Sequence, residues 1–492
     1  MRDGPDSDRD AGGAARETGT AADRNGSPGD AAEPSAAPVL THRLIQHYAV
    51  RPASSWRSPL PADLAERAFG TALLLAERCT DPARVAEANR LSVQQTNFPN
   101  ALHWDPTSIA QGDLGQALLS AELHRHRPDD GWDVRAANFA AATATLLGRG
   151  HRPAMGSVSG SSGMAFAGRR IGGSALNPLL PGLDGVIAQD ALATAAAIRG
   201  RSGISVGTFD QISGLAGVAL CALPNPDQAA RPVTPFVLRA LAALAVESGD
   251  PPAWFTPPEL LYDDEQRAYY PFGNLNLGLA HGIPGPLAAL AIARLGGTGG
   301  DDVRLATESL ADWLAGHVSL GDDGPGWDTV VSLTRTAQGL AELPVHRVGR
   351  DAWCYGTPGA ARALFLAGRA LDRSDLRNLA IEAMAAVYRR PPEQRGIDSP
   401  TFCHGVAGLL QITLRFHHDT GLPLFAEAAS ALTEQLLDAV EPDRPMGIAC
   451  VEPGDNKVDQ PGVLDGAAGI SLVLLSAASE VEPTWDRMFA LS

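Results

Sequence analysis

HGVAGLLQITLRF (residues 404–416) sets two glycines, three residues apart, at the start of an apolar run. The same arrangement recurs in QGDLGQALLSAEL (111–123), SGSSGMAFAG (159–168), SGLAGVALCAL (213–223), HGIPGPLAALAIARL (281–295), YGTPGAARALFLAG (355–368) and DGAAGISLVLLSAA (465–478). The first glycines of these seven copies are separated by 48 to 74 residues, enough for two helices of about ten to fourteen residues and their loops. Glycine suits a tight entry into a crowded helix start, where a Cβ would clash or φ must be positive. The runs after the glycines are apolar on nearly all sides and predict buried helices. The intervening segments DDVRLATESLADWLAGHV (301–318) and RSDLRNLAIEAMAAVYRR (373–390) carry charge on one side and predict outer helices. An all-α fold follows, an α/α toroid built as a double-layered ring of seven inner and seven outer helices. An open solenoid is the other way to stack such repeats, and the lack of polar capping repeats favours closure.

Outside the repeats, residues 1–38 are Asp, Gly, Ala, Ser, Pro, Glu and Arg with almost no large apolar side chain, and read as a disordered tail ahead of one catalytic domain over 39–492. PADLAERAFGTALLLAERC (61–79) has helical periodicity and is followed by a largely polar stretch to about residue 108. PPAWFTPPELLYDDEQRAYYPFGN (251–274) is aromatic, proline-rich and poorly helical, a candidate rim for substrate contact.

The net charge of −17 argues against a nucleic-acid backbone or an anionic membrane as the main partner. Five irregularly spaced cysteines do not form a disulfide framework, and thiols kept free for a metal suit a reducing compartment, so the cytoplasm is expected. The N-terminus lacks the apolar core of a signal peptide, and no apolar run is long enough to span a bilayer.

Chemistry-bearing residues gather at the glycine turns. Cys354 lies two residues before Gly356, and Cys403 and His404 directly precede Gly405. Two sulfurs and one nitrogen form an incomplete tetrahedral set with no obvious fourth protein ligand, the way a catalytic zinc is held; a structural zinc and ordinary buried residues are the alternatives. Turns facing one end of a ring converge on its axis, which would let these distant residues meet. His281 fills in the fourth turn the slot that His404 fills in the sixth, as a general acid or base or as a packed, capping histidine. Asp210 is either a partner fixing a histidine tautomer or a helix N-cap. Arg350 is placed to steady charge on a carbonyl oxygen and Tyr355 to hydrogen-bond a metal sulfur, against surface or core roles. The pair His417–His418 reads as solvated.

WCYG (353–356), CHG (403–405) and HGIPG (281–285), the last preceded by NLGLA (276–280), together resemble the markers of the LanC-like family of lanthipeptide (lantibiotic) cyclases, over roughly residues 60 to 492. The resemblance implies a seven-fold α/α toroid with Zn2+ held by Cys354, Cys403 and His404. It makes His281 the proton-transfer residue and gives Asp210, Arg350 and Tyr355 supporting roles. It further implies addition of a substrate cysteine thiolate to dehydroalanine or dehydrobutyrine, closing a (methyl)lanthionine ring in a dehydrated precursor peptide. No dehydratase-like or kinase-like segment precedes the repeats, so a separate dehydratase is the expected partner. The competing expectations are a LanC-like enzyme that adds glutathione to dehydrated residues, a zinc prenyltransferase, and a non-catalytic peptide-binding scaffold containing zinc. Pro284 replaces the small residue often found in that turn and leaves His281 in place.

Overall fold

The computed structural model describes residues 47–99, 104–223, 231–246, 249, 251–343 and 350–492; the tail expected over 1–38 lies outside them. Each glycine turn opens a helix: Asp113–His126, Ser161–Ile171, Leu215–Ala222, Pro284–Leu295, Thr357–Ala370, Val406–Thr420 and Ala467–Ala478. These helices touch one another in chain order, and the last touches the first. They are buried on almost every side, as their apolar sequences require: from Val406 to Phe416 every residue of the sixth is buried.

A second set of helices packs on this inner set. Trp132–Gly148 lies on the first inner helix, Leu180–Ile198 on the second, Thr234–Val246 on the third, and Asp301–Gly316 on the fourth. Ser374–Arg389 lies on the fifth and Pro423–Asp438 on the sixth. Ala62–Cys79, from the start of the described chain, covers Ala467–Ala478 at its end. The charged segments 301–318 and 373–390 thus become outer helices, as their one-sided polarity predicts.

Glycine is required at the turns mainly by close approach. A methyl on Gly408 would lie 2.0 Å from the Phe402 carbonyl oxygen, and the second glycine of every turn meets the carbonyl oxygen six residues earlier at 1.8 to 2.9 Å. Gly356 adds a conformational demand, with φ of 93° and a would-be Cβ 1.5 Å from the Arg350 oxygen.

The turns bond to each other through the backbones of the residues around these glycines. Ile109 N–H donates to Val158 (2.8 Å), Ser157 to Ile212 (2.8 Å), Gln211 to Ala280 (3.1 Å) and Ala280 to Cys354 (3.2 Å). Cys354 donates to Cys403 (3.1 Å), Cys403 to Leu464 (2.9 Å) and Val463 to Ala110 (2.7 Å), which returns to the first turn. This closed circuit lines up all seven turns at one end of the inner helices and excludes the open solenoid.

The chain departs from the sequence reading in three places. The polar stretch after Cys79 contains a helix, Pro82–Gln95, started by Asp81, whose carboxylate accepts from Ala83 N (2.9 Å) and Arg84 N (3.3 Å). The 251–274 segment leads into a three-stranded antiparallel sheet of Asn274–Asn276, Val330–Thr336 and Gly339–Glu342, and two further two-stranded ribbons accompany it. Trp254 is buried edge-on against Trp313 at 4.7 Å, while Tyr262 and Tyr269 of the same segment stand exposed. His418 packs against Trp56 with ring centroids 5.3 Å apart, so the His417–His418 pair is partly buried rather than solvated.

Candidate metal centre

The backbone circuit brings the chemical residues together, because each is next to a bonded position. The Cys354–Cys403 bond sets the two thiols side by side, hydrogen-bonded to each other. Below them Trp353, Phe402, Trp485 and Phe489 form an aromatic floor, with Trp353 and Phe402 at 5.2 Å and Phe402 and Phe489 at 4.8 Å. The Trp353 indole donates to the Phe489 carbonyl (3.0 Å), so the C-terminal segment fixes the turn that carries Cys354.

Of the five cysteines only Cys354 has a thiol made more acidic. It is pushed down to about 7 by the hydrogen bond from Cys403, against burial and with help from the charges of His404 and Arg350. Cys403 is pushed up by the same bond and by burial. Burial pushes Cys79, Cys221 and Cys450 up, which leaves them inert packing thiols.

Cys403, His404 and Asp465 form a cluster whose potential ligand atoms all lie within 4.8 Å of one another, and Cys354, beside Cys403 on the neighbouring turn, falls outside that group. His404 Nδ1 is 3.4 Å from Asp465 Oδ1, and that oxygen is buried without a hydrogen bond. A thiol, an imidazole and a buried carboxylate oxygen, with a second thiol on the adjacent turn, fit a divalent, borderline-soft cation. Asp465 is absent from the sequence reading. It occupies the residue before the first glycine of its turn, the slot of His281, Tyr355 and His404, and that shared position is the signal that identifies it.

On the other flank the Gln211–Ala280 and Ala280–Cys354 bonds place Asp210, His281 and Tyr355 in succession. Asp210 plays both roles open to it: Oδ1 accepts from Ser213 N (2.7 Å) and Gly214 N (2.8 Å), closing the turn, while Oδ2 binds His281 Nδ1 at 2.6 Å. Burial opposes the imidazolium of His281, but the Asp210 bond and charge, with Cys354, outweigh it and raise its pKa. The His281 and Tyr355 ring centroids are 6.2 Å apart. The Tyr355 hydroxyl accepts from Asn276 Nδ2 (3.2 Å), and Asn276 Oδ1 accepts from Gly278 N (2.9 Å), tying this turn to the small sheet. Arg350 lies at the mouth of the Gly356 turn and acts on the charge of both thiols.

Residues 103–490 match a family model described as lanthionine synthetase C-like protein. The nisin biosynthesis protein NisC of Lactococcus lactis subsp. lactis is 26% identical over 292 residues, which span 58% of this chain and 64% of that protein, just under two thirds of its length. The solved structure of a nisin cyclase superposes with a TM-score of 0.67 at 21% identity, covering 84% of this chain and 97% of the other, and so shares the fold. The family match spans most of the sequence, and this chain belongs to the lanthionine synthetase C-like family.

Proposed function

We propose that this protein is a zinc-dependent lanthipeptide cyclase, a toroid of seven inner and seven outer helices over residues 39–492 that acts in the cytoplasm. The observation that carries the reading is the meeting of the Cys354–Cys403 thiol pair and His404 with the Asp210–His281 pair on consecutive turns. Among the described residues no helix is long and apolar enough to cross a membrane, in keeping with a peptide substrate met in solution.

Cys354, Cys403 and His404 would hold Zn2+, which lowers the pKa of a substrate cysteine and keeps it as a nucleophilic thiolate. Two cysteine ligands suit this task because electron-rich sulfur preserves the nucleophilicity of a third. In the overall reaction a C–S bond forms at the β-carbon of dehydroalanine or dehydrobutyrine, and the alkene electron pair moves to the α-carbon and its carbonyl as an enolate. A proton then adds at the α-carbon, so the thiol's hydrogen is conserved and nothing is oxidised.

Asp210 engages Nδ1 of His281, which leaves Nε2 to deliver that proton or to relay it from the thiol. Arg350 would steady the enolate oxygen. Tyr355, anchored by Asn276, would border the site between His281 and the sulfurs. The exposed Tyr262 and Tyr269 offer contact to a peptide, and a separate dehydratase would supply the dehydrated precursor.

Ring closure on a dehydrated precursor, followed by thiol alkylation and product mass with zinc present and then removed, tests the reading. Full cyclisation by a metal-free Cys354→Ala variant would sink it. A parallel reaction with glutathione separates intramolecular ring closure from addition of an external thiol.

A further inference from the structure

Where the backbone circuit closes, between the seventh turn and the first, the rim holds a pocket of about 300 Å3 that opens to solvent. The helix Pro82–Gln95 contributes Asn89, Ser92 and Val93 to it, the seventh turn Pro461 and Gly462, and the approach to the first turn Trp104. Its frame is tied together. The Glu452 carboxylate accepts from Thr96 Oγ1 (2.6 Å) and Asn97 N (2.7 Å), and Asn456 Nδ2 donates to the Gln95 carbonyl (2.8 Å), which joins the end of the helix to the ribbon leading into the seventh turn. The Trp104 indole donates to Asp113 Oδ1 (3.0 Å), which fixes the ring. Such a pocket is preformed, and at this volume it has room for one or two residues of a peptide rather than for a folded partner.

Two amides complete the lining. Gln111 Nε2 donates to Gln460 Oε1 at 3.3 Å, which leaves Gln111 Oε1 and Gln460 Nε2 without a hydrogen-bond partner among the described residues. Turning both amides over exchanges these atoms and still leaves one acceptor beside one donor. Gln460 is only 5% exposed, so its free group meets solvent through the pocket it lines. An acceptor beside a donor is the complement of the N–H and C=O that one residue of an extended chain turns to the same side. No ionisable side chain is among the described residues lining the pocket, and Trp104, Val93 and Pro461 give it apolar surface.

We propose that this pocket is a specificity subsite for one uncharged residue of the substrate peptide, with its N–H and C=O held by the Gln111–Gln460 amides and its side chain laid against Trp104 and Pro461. This rests on the peptide-cyclase reading above. Gly462 is two residues from Leu464, hence within about 7 Å of it along the chain, and the Leu464 carbonyl accepts from Cys403 N (2.9 Å). A residue seated in the pocket therefore flanks one that reacts beside the Cys403 turn. The subsite binds and selects; it takes no part in bond making. A charged side chain is disfavoured there because it would leave water without gaining a partner.

The test uses the full-length, zinc-loaded protein and synthetic acetylated hexapeptide amides. Each carries dehydroalanine and, three residues on, cysteine, with leucine, proline, aspartate or lysine either before the dehydroalanine or after the cysteine. Ring closure is followed by loss of alkylatable thiol. Wild type is expected to close the leucine and proline peptides with a KM about tenfold lower than the charged ones. Asn89→Trp, which fills the pocket from the outer helix, should raise KM for the leucine peptide about tenfold and erase the preference while kcat stays unchanged, as for binding shared by ground and transition states. Gln111→Leu, which removes the amide pair without adding bulk, should raise KM about fivefold and answers the same question if Asn89→Trp does not fold. Variants with the wild-type KM and ranking of peptides, or with a fall in kcat alone, overturn the subsite. Wild type that closes none of the peptides overturns the cyclase reading instead. Calorimetric binding of the leucine peptide to wild type and Asn89→Trp then decides the pocket, and equal affinities overturn it.

Discussion

The backbone N–H of Cys354 donates to the carbonyl of Cys403 at 3.1 Å, so bonded peptide groups hold the two cysteines as neighbours on adjacent turns. The thiol pair is thus prepared by the fold. Cys354→Ala should keep the backbone bond and the helical circular dichroism. On the proposed zinc reading, zinc content should nevertheless fall to about a tenth or less of stoichiometric, since the centre would lose one of its sulfurs. Elemental analysis of the purified variant checks this.

His281 sits one residue from Ala280, whose N–H donates to the Cys354 carbonyl at 3.2 Å, and its Nδ1 is engaged by Asp210. His281→Ala is expected to retain full zinc content while the rate of ring closure drops about 10²–10⁴-fold. Loss of metal on this substitution would make it a ligand instead.

Asp210 allows its two roles to be separated. Asp210→Asn keeps an oxygen for Ser213 N and Gly214 N but withdraws the negative charge from His281. It should unfold at nearly the wild-type denaturant concentration and lower the ring-closure rate, with the pH profile displaced toward lower pH as the His281 pKa falls. Asp210→Ala loses the turn bonds too and should cost a further ~1–2 kcal/mol of stability. Equal stability of the two variants would deny the turn-closing role.

The sequence carried more of the fold than of the site's edges. Seven glycine pairs with apolar runs announce the inner helices, because close backbone approach leaves no alternative to glycine, as at Gly408 and Gly356. Cys354, Cys403, His404 and His281 were legible as residue types at those turns. Asp465 shares their slot before a first glycine, but an aspartate there resembles a common turn residue, and only its burial beside His404 sets it apart. The helix Pro82–Gln95 was obscured by its polar exposed side, and only Val85, Ala88 and Ser92 face inward. The sheet of Asn274–Asn276 with Val330–Thr336 joins segments far apart in sequence, where local pattern says nothing of pairing.

Close approach at the turns predicts a contrast between two glycine-to-alanine changes. Gly70, within Ala62–Cys79, has nothing within 4 Å of a would-be Cβ, so Gly70→Ala should stabilise by about 0.5–1 kcal/mol through helix propensity and unfolded-state entropy. Gly408→Ala, with its methyl 2.0 Å from a carbonyl oxygen and 3.0 Å from Trp353 Cβ, should destabilise by more than about 3 kcal/mol and disturb the thiol pair. Chemical denaturation of both variants gives the comparison.

The C-terminal segment that supports the site is locked by buried charge. Arg415 holds Asp486 through two bonds of 2.7 Å, and Arg362 reaches both Asp419 (2.7 Å) and the Leu491 carbonyl. Burial opposes both carboxylates, but the guanidiniums outweigh it and hold them below the usual carboxylate range. A depressed carboxyl contributes its stability above the unfolded value, about pH 3.9, and loses it as pH falls through the lower folded value. Removing the Asp486 charge leaves the buried Arg415 guanidinium only the half-exposed Glu482 (2.7 Å) as a counter-charge, so Asp486→Asn should cost about 3 kcal/mol at neutral pH. Between that pH and strong acid, the gap in unfolding free energy between wild type and Asp486→Asn should narrow, because protonation removes from the wild type the charge that the variant already lacks. Denaturant titrations at neutral pH and near pH 3 measure that gap, and a constant gap would remove the ion pair as its cause.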